Sequence, residues 1–308
     1  MKNKIKSNCK NLIITGAGGY LGKNLVNEAL EIGWKVKALI HKNNPFNSNR
    51  EGLTILKWDL ENLNEISDIF DESCIVVHAA AHIPSNHNGL QTADDCYRLN
   101  VHGTLQLLEI AKKRKIPHFI YYSAGNAYSI KNKPAVEEDS LYPSGKAVLY
   151  LSSKIAAEML VSHFSQTWSL PVTILRISTP YGPDHSSFVN NMIISLKKNI
   201  SIDLFEGGLH AADFVYIDDI VSATLKSIDK KSTGIFNIGS GVRTTLLEVA
   251  NVIVDILNIN KELINIEPLQ GDANIKGYPA LDCTKARKLW NYSPTSFKDG
   301  IKRIILKG

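Results

Sequence analysis

Short apolar runs alternate with longer amphipathic segments through the first half of the chain. The apolar runs are rich in β-branched residues and are bounded by polar or turn residues, which is typical of buried strands. They cover 12–15, 36–40, 53–58, 74–78 and 118–123, and amphipathic segments at 22–32, 63–70 and 97–113 predict helices between them. A predicted helix near 150–166 and predicted strands at 172–177 and 234–238 extend the pattern.

A glycine-rich turn follows the first predicted strand. The sequence NLIITGAGGYLG, from 11 to 22, ends an apolar run in Thr-Gly-x-x-Gly-x-x-Gly just before a helical pattern. Glycines at these positions make a tight turn, let the backbone approach a pyrophosphate and let the helix pack closely on the strand. The N–H groups at a helix N-terminus suit phosphates. The turn therefore predicts a dinucleotide site that includes Gly16, Gly19, Tyr20, Leu21 and Gly22.

The alternation of strands and helices predicts an α/β fold with a Rossmann-type, doubly wound parallel sheet. In such sheets, ligands bind at the carboxyl ends of the strands. From about residue 181 the order becomes irregular, which indicates a smaller C-terminal substrate lobe. We expect a dinucleotide-binding domain over 1–180, with returning elements at about 211–245, and a mainly substrate-binding lobe over 181–308.

The composition is that of an ordinary globular chain. The 308 residues are 44% hydrophobic and 21% charged, and their formal net charge is +5. The lysines are scattered, which argues against a nucleic-acid partner. Four cysteines form no CxxC pair, so we predict no metal site. Because no apolar stretch is long enough to span a membrane and the N-terminus is too polar for a signal peptide, we expect a cytoplasmic protein.

A tyrosine and a lysine four residues apart form the candidate catalytic pair. Tyr150 and Lys154 lie in a predicted helix, where this spacing puts both side chains on one face. A nearby ammonium favours the phenolate form of a tyrosine. We therefore expect Lys154 to lower the pKa of Tyr150 and make it a general acid/base for a carbonyl or an alcohol. The alternative is a core tyrosine followed by a solvated lysine.

These motifs together resemble the extended short-chain dehydrogenase/reductase family of nucleotide-sugar epimerases, dehydratases and ketoreductases. Glu158 completes the family's YxxxKxxxE segment. Other matches along the whole chain are HAAA at 78–81, NVHGT at 100–104, YGP at 181–183, DFVYIDD at 213–219, FNIGSG at 236–241 and the tail from 281 to 300. The resemblance implies that the cofactor contacts also include Asp59, Leu60, Ala79, Ala80, Asn100, Lys154 and Ile177.

The third catalytic group of the family is a serine or threonine after the fifth strand. In the commonest spacing it stands four residues before a tyrosine, and here Ala124 holds that position before Tyr128. A variant spacing with one more residue selects Ser123, which we predict to polarise the reacting carbonyl. The alternative is a strand-end serine bonded to backbone. Dehydratases carry an Asp-Glu pair in the next positions, whereas Gly125-Asn126 stands here, so dehydration is not expected.

The end of the second strand bears on the choice of nicotinamide cofactor. Members that prefer NAD carry an acid there for the ribose 2′-hydroxyl. In this chain Ile40 holds that position, and His41 and Lys42 follow. Since two groups that can be cationic suit a 2′-phosphate, we predict NADP(H), with NAD(H) as the alternative cofactor. A plain strand end with exposed basic residues would look the same.

The substrate side departs from the family. Two arginines that commonly clamp a nucleotide diphosphate are replaced by Ala212 and Leu269, and a usual asparagine is replaced by Thr179. We place Asn126, Thr179 and Arg243 at the substrate. Further candidates to replace the arginines are Lys146, His185 and His210.

The sequence thus predicts an NAD(P)-dependent oxidoreductase that acts on a keto or hydroxyl group of a sugar, with nucleotide linkage expected. Reduction is favoured over 4-epimerisation because the ribose acid is absent. A cofactor-binding scaffold without turnover is the rival from another class. Apolar residues on the two helices around Asn100 and Tyr150 are compatible with a homodimer through a four-helix contact, or with packing against the sheet.

Overall fold

The computed structural model describes residues 10–59, 67–87, 89–131, 133–269 and 276–307. Its strands are β1 (Asn11–Thr15), β2 (Lys35–Ile40), β3 (Leu53–Lys57), β4 (Cys74–His78), β5 (His118–Ala124), β6 (Val172–Ile177), β7 (Thr179–Tyr181), β8 (Ile202–Leu204), β9 (His210–Tyr216), β10 (Gly234–Ile238), β11 (Arg243–Thr245), β12 (Ile264–Ile266) and β13 (Lys276–Gly277). Its α-helices are α1 (Tyr20–Glu31), α2 (Leu90–Asp95), α3 (Gly103–Lys113), α4 (Val148–Trp168), α5 (Phe188–Lys197), α6 (Ile217–Asp229), α7 (Leu246–Leu257), α8 (Thr284–Trp290) and α9 (Phe297–Lys307).

The large sheet has the strand order β3-β2-β1-β4-β5-β6-β10. Neighbouring strands from β3 to β5 pair in parallel. From β1 the sheet extends through β2 to β3, and the chain then returns to β4 on the other side of β1. The strand order therefore reverses between β1 and β4, which is where doubly wound sheets bind their ligands. The predicted fold class is confirmed.

The apolar runs form strands because both faces of the sheet are covered. In β1, β4 and β5 nearly every residue is buried, and a core of aliphatic and aromatic side chains includes Ile13, Val76, Phe119 and Ile174. Parallel sheets covered on both faces give such continuous apolar runs rather than an alternating pattern. The observed strands agree with the predicted ones to within one residue at each end.

The helices differ from the sequence prediction in two places. The predicted helix at 97–113 continues a longer run, in which a wide helical turn (Cys96–His102) joins α2 to α3. Most of the predicted helix at 63–70 lies outside the described residues, and 67–69 form one tight helical turn. The helix with the candidate catalytic pair, α4, is 21 residues long.

The described contacts divide the chain into two compact units. The first unit draws on Met1–Ala127, Pro143–Arg176 and Val221–Phe236, and the second on Tyr128–Tyr142, Ile177–Ile220 and Asn237–Gly308. The division predicted at residue 180 stays a prediction. In the described part of the chain, no helix combines the length and the apolarity that crossing a membrane requires.

The second unit is built on β9, which pairs with β7 and β13 in parallel and with β11 in antiparallel fashion. Asp213 of β9 is fully buried. Its carboxylate accepts hydrogen bonds from the backbone N–H groups of Ser240, Gly241 and Leu281 and from the Ser240 hydroxyl, at 2.6–3.1 Å. This carboxylate thus ties β9 to two loops of the second unit.

Candidate active site

The glycine-rich turn joins β1 to α1 in a conformation that only glycine suits. Gly16 has φ of +65°, and a Cβ there would lie 2.6 Å from the Cα of Ala80. A Cβ on Gly22 would collide with the Gly16 carbonyl. Among the described residues, no side chain caps the N-terminus of α1 at Gly19. The turn therefore keeps a cradle clear of side chains in front of helix N–H groups, as pyrophosphate binding requires.

A series of hydrogen bonds, each with a defined donor, connects Thr15 at the end of β1 to Asn100. Thr104 donates its one hydroxyl proton to the Asn100 carbonyl at 2.5 Å, so the bond of 2.9 Å between His78 Nε2 and Thr104 must be donated by the histidine. Burial lowers the pKa of His78 to about 3, and the neutral ring therefore accepts at Nδ1 from Thr15 at 2.7 Å. Thr15 in turn accepts from the Ala80 N–H at 3.2 Å. Each donor proton in this hydrogen-bond series therefore has only one possible position.

Asn100 extends this hydrogen-bond series to α4, the helix with the candidate catalytic pair. Its side-chain oxygen accepts from the His82 N–H at 2.6 Å, and its amide donates to the His82 carbonyl and to Ser153 at 3.1 and 3.0 Å. Ser153 donates to the Tyr150 carbonyl at 2.7 Å. Asn100 is almost fully buried, so it holds the segment after β4, with Ala79 and Ala80, against the helix that carries Tyr150.

The end of β2 carries the groups predicted to choose between nicotinamide cofactors. Ile40 is buried, whereas His41 and Lys42 are exposed. The structure adds a carboxylate that the sequence order did not reveal, because Asp59 Oδ2 lies 3.6 Å from His41 Nε2. Leu60, which the resemblance placed beside Asp59, lies outside the described residues.

Tyr150 and Lys154 lie one turn apart on α4, as predicted. Lys154 is 4% exposed, and its ammonium lies 4.2 Å from the centre of the Tyr121 ring. Burial lowers the pKa of Lys154 to about 7, while the charge of Glu158 acts in the opposite direction. Burial also raises the pKa of half-buried Tyr150 to about 12, with Cys96 contributing. The expected lowering of the Tyr150 pKa is therefore not found in the protein alone, where burial raises it.

Ser123 is the last but one residue of β5, and its hydroxyl is bonded to a carboxylate. Its hydroxyl donates to Glu158 Oε2 at 2.6 Å, and Glu158 is paired with Arg176 at 2.6 Å. Ala124, at the commonest family position, is buried beside it. In this orientation the Ser123 proton points to Glu158, so polarising a carbonyl would require the proton to leave that bond. Asn126 lies half-buried in the short helical turn that follows.

The remaining predicted substrate residues lie in the second unit. Thr179 is half-buried in β7, and Ala212 is buried in β9. Arg243 donates hydrogen bonds to the carbonyl groups of Lys276 and Tyr278, so its guanidinium is engaged with the backbone. His210 packs edge-on against Tyr278, with ring centres 5.8 Å apart. Ile177, the predicted cofactor residue of this unit, is buried at the end of β6.

Sequence reasoning missed three groups of the first unit: Tyr121, Thr15 and Arg176. A charged residue in the apolar run VTILRI, at 172–177, was the available signal for Arg176, because a buried cation needs a partner. Tyr121 and Thr15 gave no comparable signal, since each is an ordinary strand residue. Among the described residues, no three His, Cys, Asp or Glu side chains are grouped as a metal site would need.

The comparison with known families decides the assignment. The sequence profile of the NAD dependent epimerase/dehydratase family matches residues 12–239. The chain belongs to this family. The predicted membership of the extended short-chain dehydrogenases/reductases is confirmed, and the protein is an enzyme of that family, whose members depend on NAD. The glycine cradle and the uncapped helix fit such a cofactor.

Several relatives of this family act on nucleotide-linked sugars by name. A putative UDP-glucose 4-epimerase of Methanocaldococcus jannaschii is 28% identical over 307 residues, which cover 96% of this chain and 97% of that protein. A dTDP-glucose 4,6-dehydratase of Streptomyces antibioticus is 25% identical and is covered to 91%. The crystal structure of UDP-glucose 4-epimerase from Thermotoga maritima with UDP-glucose matches with a TM-score of 0.83 and 25% identity, covering 96% of this chain and 97% of that chain.

Proposed function

We propose that this enzyme moves hydride between a nicotinamide cofactor and a carbinol or carbonyl carbon of a nucleotide-linked sugar, with Tyr150 as general acid/base. The observation that carries the proposal is the position of the Tyr150–Lys154 pair. Both side chains lie on α4 in the first unit, which also contains the glycine cradle and the buried chain from Thr15 to Asn100. General acid/base groups need this kind of rigid support.

The proton chemistry follows from the residues of the first unit. A bound nicotinamide supplies or accepts the hydride and, in its oxidised form, brings a positive charge. Tyr150 donates its proton to the carbonyl oxygen during reduction and removes a proton from the hydroxyl during oxidation. Lys154, buried beside it, stabilises the phenolate and binds cofactor hydroxyl groups. Ser123, whose own proton is donated to Glu158, accepts a hydrogen bond from a neighbouring hydroxyl of the sugar, because the reacting hydroxyl gives its one proton to Tyr150 and a carbonyl has none to donate.

Reduction of a keto-sugar with NADP(H) is the finer activity that we favour. His41 and Lys42 are exposed after buried Ile40, so two groups that can be cationic are available to a 2′-phosphate. Asp59, 3.6 Å from His41, opposes this preference by its negative charge. Gly125-Asn126 lacks the acids that dehydration needs.

4-Epimerisation is the second candidate, and the relatives favour it. Two of the similar proteins described above are named UDP-glucose 4-epimerases. An epimerase would use Tyr150 to remove and return the hydroxyl proton while the hydride leaves one face of the sugar and returns to the other. It would hold its cofactor through the cycle, whereas a ketoreductase must exchange it. The homodimer remains a proposal.

Binding of the nucleotide diphosphate needs groups other than the usual arginines. Ala212 and Leu269 carry no charge, and the Arg243 guanidinium is bonded to two backbone carbonyls. We propose that Asn126 and Thr179 contact the sugar through their polar groups. Because a diphosphate without arginine forks is held less tightly, we expect weaker substrate binding than two such forks would give.

The identity of the cofactor separates the candidates. The freshly purified protein is denatured, and the released nucleotide is identified by chromatography and mass. Near-stoichiometric NAD supports epimerisation and contradicts our NADP(H) preference. NADP, or an empty site that binds NADPH more tightly than NADH, supports the ketoreductase. A protein that binds neither nucleotide contradicts the proposed function and favours a scaffold.

A further inference from the structure

A buried ion pair of Glu158 and Arg176 lies on α4 and β6, with Glu158 one turn after Lys154. Arg176 of β6 donates to both carboxylate oxygens of Glu158, at 2.6 and 3.1 Å to Oε1 and 3.2 Å to Oε2. The two side chains are only 6% and 5% exposed. Buried ion pairs give little net stability over apolar pairs of similar volume, because both charges lose their water. Stability alone therefore does not account for this pair.

The first effect of Glu158 is on Ser123. A serine hydroxyl has one proton and two lone pairs. The short bond of 2.6 Å to a charged acceptor commits that proton to Glu158. Ser123 is thereby held with its lone pairs available to a hydroxyl donor. The carboxylate itself cannot turn away, because Arg176 fixes both of its oxygens.

The second effect of Glu158 is on Lys154. The two residues are four apart on α4, so their side chains lie on the same face of the helix. Among the described residues, the charged and titratable groups that interact with Lys154 are Tyr121 from β5, His78 from β4 and Glu158 from α4. Tyr150 lies one turn away on α4, and Arg176 of β6 is paired with Glu158. His78 is neutral, and both tyrosines have raised pKa values. Glu158 thus supplies the negative charge in this group.

We propose that Glu158 is a positioning residue of the reaction, which fixes the Ser123 hydroxyl as an acceptor toward the sugar and stabilises the buried Lys154 cation. Arg176 holds the carboxylate in place, and its positive charge partly offsets the electrostatic effect of Glu158 on Lys154. The role in catalysis rests on the proposed function, whereas the effect on the Lys154 charge is a property of the protein alone.

Opposite substitutions in the pair test this proposal. Glu158→Gln keeps an oxygen acceptor for Ser123 but removes the negative charge, so the titration of Lys154 moves to lower pH by about one unit or more. Arg176→Gln leaves the carboxylate unneutralised, so the same titration moves to higher pH. The Lys154 titration is followed by NMR of the protein labelled with carbon-13 at lysine Cε, and the Lys154 signal is assigned by its loss in Lys154→Met. Asp213→Asn, a buried carboxylate change in the second unit, is the control and leaves the titration in place.

Simple loss of packing would shift the Lys154 titration in the same direction in both variants. A shift in a common direction, or no shift, therefore overturns the proposal. If Glu158→Gln does not fold, Arg176→Gln decides alone by the sign of its shift. The effect on the reaction is read from the rate of cofactor reduction with UDP-glucose as the probe, measured as a function of pH. The alkaline limb of this pH–rate profile moves to lower pH in Glu158→Gln. An unchanged alkaline limb overturns the catalytic role. Turnover absent in the wild-type enzyme, with the opposite NMR shifts present, contradicts the proposed function and leaves the charge effect supported.

Discussion

The two units of this enzyme use buried polar side chains differently. In the first unit they form connected networks that run from the glycine-rich turn through His78 to the catalytic helix, and from Ser123 through Glu158 to Arg176. In the second unit, the buried carboxylate of Asp213 is satisfied by backbone N–H groups and one serine. The first arrangement orients groups that can react, whereas the second fastens loops.

This difference indicates where the chemistry and the substrate choice reside. The networks of the first unit leave little freedom for the groups that we propose to hold cofactor and proton, and the residue types at these positions resemble the family pattern. In the second unit the framework is retained by Asp213 while the positions of the clamping arginines hold Ala212 and Leu269. Under the proposed function, the first unit holds the proton-transfer groups, and both positions at which the family's clamping arginines are lost lie in the second unit.

The strongest test of the first unit is Tyr150→Phe. Removing the one phenolic oxygen removes the proton donor, so we expect turnover to fall by about 10²–10⁴-fold. Cofactor affinity should stay within about twofold, because the cradle and its supporting network are untouched. Steady-state turnover and calorimetric titration with the cofactor give the two values. Turnover close to that of the parent would show that another group moves the proton.

A second test compares two glycines of the first unit that both have positive φ. Gly16 lies against the Ala80 backbone, whereas a Cβ on Gly33 would meet nothing within 4 Å. Both alanine substitutions incur the left-handed backbone penalty of about 1–2 kcal/mol. Gly16→Ala adds the cost of a forced close approach, about 1–3 kcal/mol, and weakens cofactor binding. Equal losses in the free energy of unfolding and unchanged binding in both variants would remove the cradle from the account.

The buried histidines of the first unit predict a dependence of stability on pH. Burial lowers the pKa of His78 to about 3 and that of His118 to about 4, so the unfolded chain binds protons that the folded chain does not. The free energy of unfolding should therefore fall as the pH drops below about 6.5, with a slope from these two groups that approaches about 2.7 kcal/mol per pH unit near pH 5. Urea unfolding at several pH values measures it. His118→Gln should reduce the slope by about half of that amount, and an unchanged slope would contradict the assignment.

The smallest expected effect tests the second unit. Asp213→Asn replaces an acceptor oxygen by an NH₂ group that faces backbone donors, which should cost about 1–3 kcal/mol of unfolding free energy. The cofactor affinity should not change, since the substitution affects only the fastening of loops in the second unit. A loss of cofactor affinity comparable to that of Gly16→Ala would contradict the separation of roles between the units.

The first unit was also the easier one to predict from sequence. Its strands are apolar and β-branched, its glycine turn has a fixed spacing, and the Tyr150–Lys154 pair is local in the chain, so each could be recognised from neighbouring residues. The partners of these groups could not. Glu158 meets Ser123 across 35 residues, and Asp59 meets His41 across two strands, so only the folded chain shows them. Arg243 appeared available for a phosphate, but folding turns it onto the carbonyls of its own unit.

The central claim is that Tyr150 transfers a proton during hydride transfer with a sugar. The most direct measurement mixes the purified enzyme with NAD or NADP and the probes UDP-glucose and dTDP-glucose, and follows the absorbance of reduced nicotinamide in a single turnover. We predict reduced cofactor in the wild-type enzyme and none in Tyr150→Phe, with both proteins binding the cofactor. Equal amounts of reduced cofactor in the two proteins, or none in either with the sugar bound, would contradict the claim.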